Sequence, residues 1–213
     1  MEYSYDIAHE YDQKCMDYLY GLFTKYLRRT LEHISVRGLD NLRKIPDEFS
    51  VVLFANHASH LDYIEIPYAI LHAGIFLERP SGKRPIAIAA GDNLFKRFGK
   101  WNFDKLVRRA GGYKIIRKPE PEKLVSITKT QIRYLGDRID AGDWHLVFAQ
   151  RGRSYTGEIK NYDPSAIGVF QKAERHAERK VVYVPVTVSN ERVAEDRWFR
   201  AFNKYRSSKN DFG

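Results

Sequence analysis

The chain has 213 residues, 43% hydrophobic and 14% aromatic, with a formal net charge of +9. That length suits one domain with a sizeable core, and the single cysteine, Cys15, excludes an intramolecular disulfide and leaves the redox compartment open. No apolar run long enough to span a membrane occurs, and the acidic, tyrosine-rich start is unlike a signal peptide; the positive charge fits an anionic partner without choosing one.

From Asp12 to Ile34, the residues Met16, Leu19, Phe23, Leu27, Leu31 and Ile34 recur at helical steps, which predicts an amphipathic helix. Basic residues (Lys14, Lys25, Arg28, Arg29) and tyrosines (Tyr18, Tyr20, Tyr26) leave two readings of it. It packs against the main domain, or it lies on an anionic membrane surface. Residues 1–34 are therefore expected as an N-terminal helical unit and 35–213 as the main domain. Cys15 within it reads as inert.

Ile34 to Gly38 alternates as a short strand, and Leu39 to Pro46 reads as a connection. Val51 to Ala55 is an apolar run typical of a buried strand, followed by a helix from Ile64 to about His72 that ends near Gly74. Pro85 to Ala90 reads as a second buried strand, and Phe95 to Arg109 as a helical pattern interrupted at Gly99. Gly111 and Gly112 precede a short strand, Tyr113 to Lys118, ended by Pro119 and Pro121. Glu122 to Ile139 is the longest clear helix. His145 to Ala149 is a further strand, Ala166 to His176 a helix and Val181 to Val188 another strand, before a basic tail in which Trp198 and Phe199 pack. Alternation of strands and helices predicts an α/β fold: a mixed, largely parallel central sheet flanked by helices.

Two stretches carry chemistry. Asn56-His57-Ala58-Ser59-His60-Leu61-Asp62-Tyr63 lies where a strand hands over to a helix, the edge at which open α/β sheets present reactive groups. His57 and Asp62 suit general base catalysis, the carboxylate orienting the ring and steadying the imidazolium. Ser59 and Asp62 also have the spacing of a helix capping box, so the carboxylate has a structural reading as well. The two are compatible only if a loop precedes the helix. On one unbroken helix the two side chains would diverge by about 140°. His60 reads as a solvated first-turn residue, and no spacing supports a metal site. Behind the strand at His145 to Ala149, residues Gln150 to Gly157 are dense in glycine, arginine and hydroxyl groups. Such a loop suits a phosphate-like anion, or is simply solvated and basic.

These stretches, in this order, resemble the glycerolipid acyltransferases, the glycerol-phosphate and lysophosphatidate acyltransferase superfamily. His57 to Asp62 matches the H-x4-D block, Gly112 to Arg117 looks like the G-x-x-x-I-x-R block, and Phe148 to Gly157 is similar to F-x-E-G-x-R-S-x-x-G. Val184-Pro185-Val186 looks like the fourth block, and Val36 to Leu42 like the segment before the first, so the likeness runs from about Ile34 to Val193. The resemblance implies that His57 deprotonates an acceptor hydroxyl for attack on an acyl thioester, with Asp62 orienting the ring. It implies that Arg117, Lys118, Gly152, Arg153 and Ser154 form the site of the acceptor phosphate. The implied co-substrate is acyl-CoA or an acyl-carrier protein, with no metal or bound cofactor, at the cytoplasmic face of a membrane as a peripheral protein.

Details such as Ser59 to Tyr63 and Ile88 to Leu94 lie nearer the glycerol 3-phosphate branch, while Asn56 is more like the lysophosphatidate branch. Glycerol 3-phosphate is thus the expected acceptor and lysophosphatidate the alternative. Gln150 and Arg151 stand where the third block usually carries glutamate and glycine, and Tyr155 where the glycerol-phosphate branch is often basic. A degenerate relative that only binds anionic lipid is the competing reading. Nucleic acid is not expected, because no aromatic-basic recognition motif is present. The chain ends soon after the fourth block, where many relatives continue, and reads as a short form or a fragment.

Overall fold

A computed structural model describes residues 5–30, 35–59, 61–76, 86–95, 103–116, 120–150 and 162–189. Five apolar runs form strands: β1 (Ser50–Ala55), β2 (Ile86–Gly91), β3 (Gly112–Ile115), β4 (Trp144–Phe148) and β5 (Val181–Val186). They lie in the order β3-β2-β4-β1-β5, and every described pairing between these strands is parallel, in keeping with the largely parallel sheet expected; an isolated antiparallel bridge joins Gln150 and Tyr162 outside them. All six residues of β1 are buried. Helices cover both faces of such a sheet, which is why β1 reads as a continuous apolar run and not as an alternation.

Among the described residues, six α-helices accompany these strands: α1 (Gln13–Thr30), α2 (Leu39–Arg43), α3 (Asp62–His72), α4 (Phe103–Arg109), α5 (Leu124–Asp140) and α6 (Pro164–Glu174). Successive side chains of β1 point into opposite layers. Val51 and Leu53 pack with Ile66 and Ile70 of α3, whereas Val52 and Phe54 pack with Tyr134 and Leu135 of α5 and Phe170 of α6. The start of α6 is fixed by Asp163, whose side chain accepts the Ser165 amide at 3.0 Å, with Pro164 in the first helical position.

The N-terminal segment is part of the core. Ile7 is almost fully buried, and its carbonyl accepts the Lys114 amide of edge strand β3 at 2.9 Å. The buried Arg108 of α4 pairs with Asp104 at 2.8 Å and with Asp6 at 2.7 Å, and donates to the carbonyl of Ala8. This segment covers an edge that would otherwise expose unpaired backbone groups. Behind it, α1 lays Met16, Leu19 and Phe23 toward α3, and Tyr20 stacks on Tyr68 with centroids 5.3 Å apart. The side chains of Leu27, Leu31 and Ile34 lie outside the described residues.

The strand expected from Ile34 to Gly38 does not form in its described part. Residues 35–38 have no ladder partner, Val36 is exposed, and Gly38 turns left-handed (φ 80°) into α2. Two alternating apolar residues offered too little to bury for a strand to form there. The glycine pair before β3 has a clear cause. Gly111 has φ 90°, and a Cβ on Gly112 would lie 2.4 Å from Val107 Cγ1, so α4 can hand over to the sheet only without side chains here.

Candidate active site

The strand order places the site. The connection from β1 runs over β4 to reach β2 through α3, while that from β4 runs over β1 to reach β5 through α6. The crevice between the C-terminal ends of β1 and β4 is therefore a topological switch point, where open α/β sheets hold their ligands. Residues 56–59 emerge there without regular structure, and α3 starts at Asp62. The required break between His57 and Asp62 is present.

His57 Nδ1 lies 2.9 Å from Asp62 Oδ2, and the histidine and carboxylate side chains are 5% and 0% exposed. The same oxygen accepts the amides of Ala58 at 2.7 Å and Ser59 at 2.9 Å, so one carboxylate shapes the loop and holds the ring. Ser59 Oγ accepts the Leu61 amide at 3.0 Å. The expected capping box does not form, because the N-cap of α3 is Leu61 and carries no side-chain cap; Asp62 holds the Ser59 amide from the first helical position, alongside its His57 contact. With Nδ1–H donated to Asp62, Nε2 is the ring nitrogen left to act as a base.

The loop is tied on both sides. Asn56 clamps the backbone just beyond β5, donating to the Val188 carbonyl at 2.8 Å and accepting its amide at 2.7 Å. From the other side, buried Gln150 accepts the His57 amide at 3.1 Å across a sequence separation of 93. Phe148 stacks on the imidazole at 4.2 Å between centroids, and Tyr63 meets it edge-on at 5.1 Å. Aromatic walls keep water from this dyad on two sides.

Two cavities flank Tyr63. A cleft of about 670 Å³ runs from His57 and Gln150 between the sheet and α5 and α6, past Val147, Tyr134 and Phe170. An apolar groove of about 420 Å³ lies on the opposite face between α1, α3 and α4, lined by Leu19, Phe23, Pro67 and Leu106 among others. Tyr63 belongs to the walls of both. In the cleft wall, burial pushes the Tyr113 phenol well above its ordinary range and keeps it protonated.

Of the residues singled out from sequence, His57 and Asp62 are brought together. Arg117, Lys118, Gly152, Arg153 and Ser154 lie outside the described residues, as do His60 and Tyr155. Asn56 and Gln150 gain roles as loop anchors that their sequence did not signal. No cluster of three or more potential metal ligands occurs among the described residues.

The fold and dyad define an α/β protein with a histidine–carboxylate pair at the switch point of a parallel sheet. The sequence model of the acyltransferase family matches residues 33–189, and the chain belongs to that family. It is 24% identical over 200 residues to a glycerol-3-phosphate acyltransferase of Pseudomonas fluorescens (strain SBW25), covering 93% of this chain and 22% of that protein. The chain thus spans about a fifth of the length of that curated relative. A solved structure it is similar to is the 1-acyl-sn-glycerophosphate (LPA) acyltransferase, PlsC, from Thermotoga maritima, with a TM-score of 0.48 and 14% identity over 93% of this chain and 82% of that one.

Proposed function

We propose that the chain transfers a fatty acyl group from acyl-CoA or an acyl-carrier protein thioester to a hydroxyl of glycerol 3-phosphate. The observation that carries this reading is the buried 2.9 Å contact between His57 and Asp62 at the mouth of the cleft. Nε2 of His57 takes the hydroxyl proton as the oxygen attacks the thioester carbonyl. The C–S bond breaks, an ester C–O bond forms, and the imidazolium returns its proton to the leaving thiolate. Asp62 steadies the imidazolium through Nδ1–H. Arg117, Lys118, Gly152, Arg153 and Ser154 are assigned to the acceptor phosphate on the resemblance described above, where guanidinium groups give charge and orientation together. No resident cofactor or metal is part of this proposal.

A lysophosphatidate acceptor is the second reading, favoured by the apolar groove between α1, α3 and α4, which shares Tyr63 with the cleft and offers room for a second acyl chain. Initial rates with both acceptors against both donor types separate the two. Glycerol 3-phosphate is expected to show the higher kcat/KM, and a reversed order assigns the chain to the second reading.

We further propose peripheral binding to an anionic membrane at its cytoplasmic face. No helix among the described residues is long and apolar enough to cross a membrane. Instead α1 presents Tyr18, Leu22 and Tyr26 outward at four-residue steps, with Lys14 and Lys25 also exposed. Burying such side chains contributes about 1.5–3 kcal/mol each. Leu22→Glu is expected to weaken sedimentation with phosphatidylglycerol vesicles by about tenfold or more. Undiminished sedimentation would move the contact to another face.

A further inference from the structure

We infer that Gln150 is a positioning residue that sets the His57 imidazole through the His57 backbone amide. The inference rests on His57 acting as the base. Four successive residues, 56 to 59, form the loop between β1 and α3, and three different elements anchor it. Asn56 reaches past β5, Asp62 at the start of α3 collects the amides of Ala58 and Ser59, and Gln150 beyond β4 takes the amide of His57 itself. Of these backbone anchors, the Gln150 bond is the one made to the peptide of the residue that carries the ring. Gln150 is held in turn: it sits in an isolated bridge with Tyr162, and the adjacent Ala149 donates to the Ala55 carbonyl at 3.3 Å and accepts the Asp163 amide at 2.6 Å. The residue is 5% exposed, so the bond is sheltered from water and a lost partner would leave a buried amide unsatisfied.

The consequence is geometric. Asp62 fixes the ring at Nδ1 and Phe148 fixes its plane, but the ring's origin, the His57 Cα, is set by its own peptide. Without the Gln150 acceptor the His57 peptide loses its own anchor between those of Asn56 and Ala58, and Nε2 shifts out of line with the cleft while Nδ1 can still reach the carboxylate. A carbonyl-type oxygen at this height is all that is needed, so a glutamate of the same length can serve where an apolar side chain cannot.

The test compares Gln150→Met, which keeps the length and removes the acceptor, with Gln150→Glu, which keeps it. Gln150→Ala serves as a second apolar variant should the methionine protein fail to fold. In steady-state kinetics with glycerol 3-phosphate and an acyl thioester, kcat is expected to fall about 10- to 100-fold in Gln150→Met, with both KM values within about threefold. Gln150→Glu is expected to restore most of that loss. A second readout needs no turnover: the low-field proton resonance of His57 Nδ1–H, assigned by its disappearance in Asp62→Ala. It is expected to shift or broaden in Gln150→Met and to persist in Gln150→Glu. An unchanged kcat in Gln150→Met overturns the inference, and so does an unmoved resonance, whatever happens to the rate. Should the wild-type chain turn over no acceptor, the acyl-transfer reading fails and the resonance alone decides for or against Gln150.

Discussion

Replacing His57 with alanine is expected to lower kcat for acyl transfer by about 10³-fold or more, while the melting temperature stays within a few degrees of wild type. General base catalysis contributes typically 10²- to 10⁴-fold, and the described site holds no second imidazole to substitute for this one. Asp62→Asn is expected to cost a comparable factor. An amide of the same shape can still accept the Ala58 and Ser59 amides through its oxygen, but it cannot hold the imidazolium by charge. The double variant is expected to be no slower than the worse single one, because the two groups act as a unit. Strict multiplicativity of the two losses would mean that the 2.9 Å contact has no part in the chemistry.

The second large effect is on stability in acid. His145 of β4 is fully buried between the rings of Tyr113 and Phe170, and neither ring nitrogen has a hydrogen-bond partner among the described residues. Burial pushes its pKa down to about 4, partly offset by Asp143, while His9 and Arg138 lower it further. The unfolded chain therefore binds a proton below about pH 6.5 that the folded chain refuses until about pH 4. Stability is complete above the unfolded value and is lost as pH falls through that window, by about 3 kcal/mol at 1.36 kcal/mol per unit. Denaturant titrations from pH 7 to pH 4 are expected to show this loss in wild type and not in His145→Leu. The leucine variant is expected to be at least as stable at pH 7, since it removes two unsatisfied polar atoms. Equal pH slopes for the two proteins would show that His145 finds a partner when charged.

How much of this was legible in the sequence depended on whether the cause was local. Val51 to Ala55 and Leu124 to Ile139 reveal themselves because each residue's burial follows from its own period, and β1 and α5 appear where expected. The His57–Asp62 pair was legible for the same reason: both members lie on one turn of chain, and only the loop-to-helix break had to be supplied. Ile7 gave no such signal. It is a lone apolar residue among acids and tyrosines, and its burial depends on β3 more than a hundred residues later. Gln150 was visible only as a departure from a pattern, because the amide it holds comes from the loop after another strand, 93 residues earlier. On α1 the described part of the stripe (Met16, Leu19, Phe23) faces the apolar groove, while Tyr18 and Tyr26, already conspicuous in the sequence, join Leu22 in an exposed edge. Helix α2 replaced an expected connection because Gly38 supplies the left-handed turn that starts it.

The most direct measurement of the central claim is product formation by the purified chain. It is incubated with glycerol 3-phosphate and a long-chain acyl thioester, with free thiol followed by absorbance and acylated glycerol phosphate by mass spectrometry. One thiol is expected to be released per acyl group transferred, with both signals lost in His57→Ala. Product from the His57→Ala protein, or none from wild type with any phosphorylated acceptor and either donor, would contradict that claim.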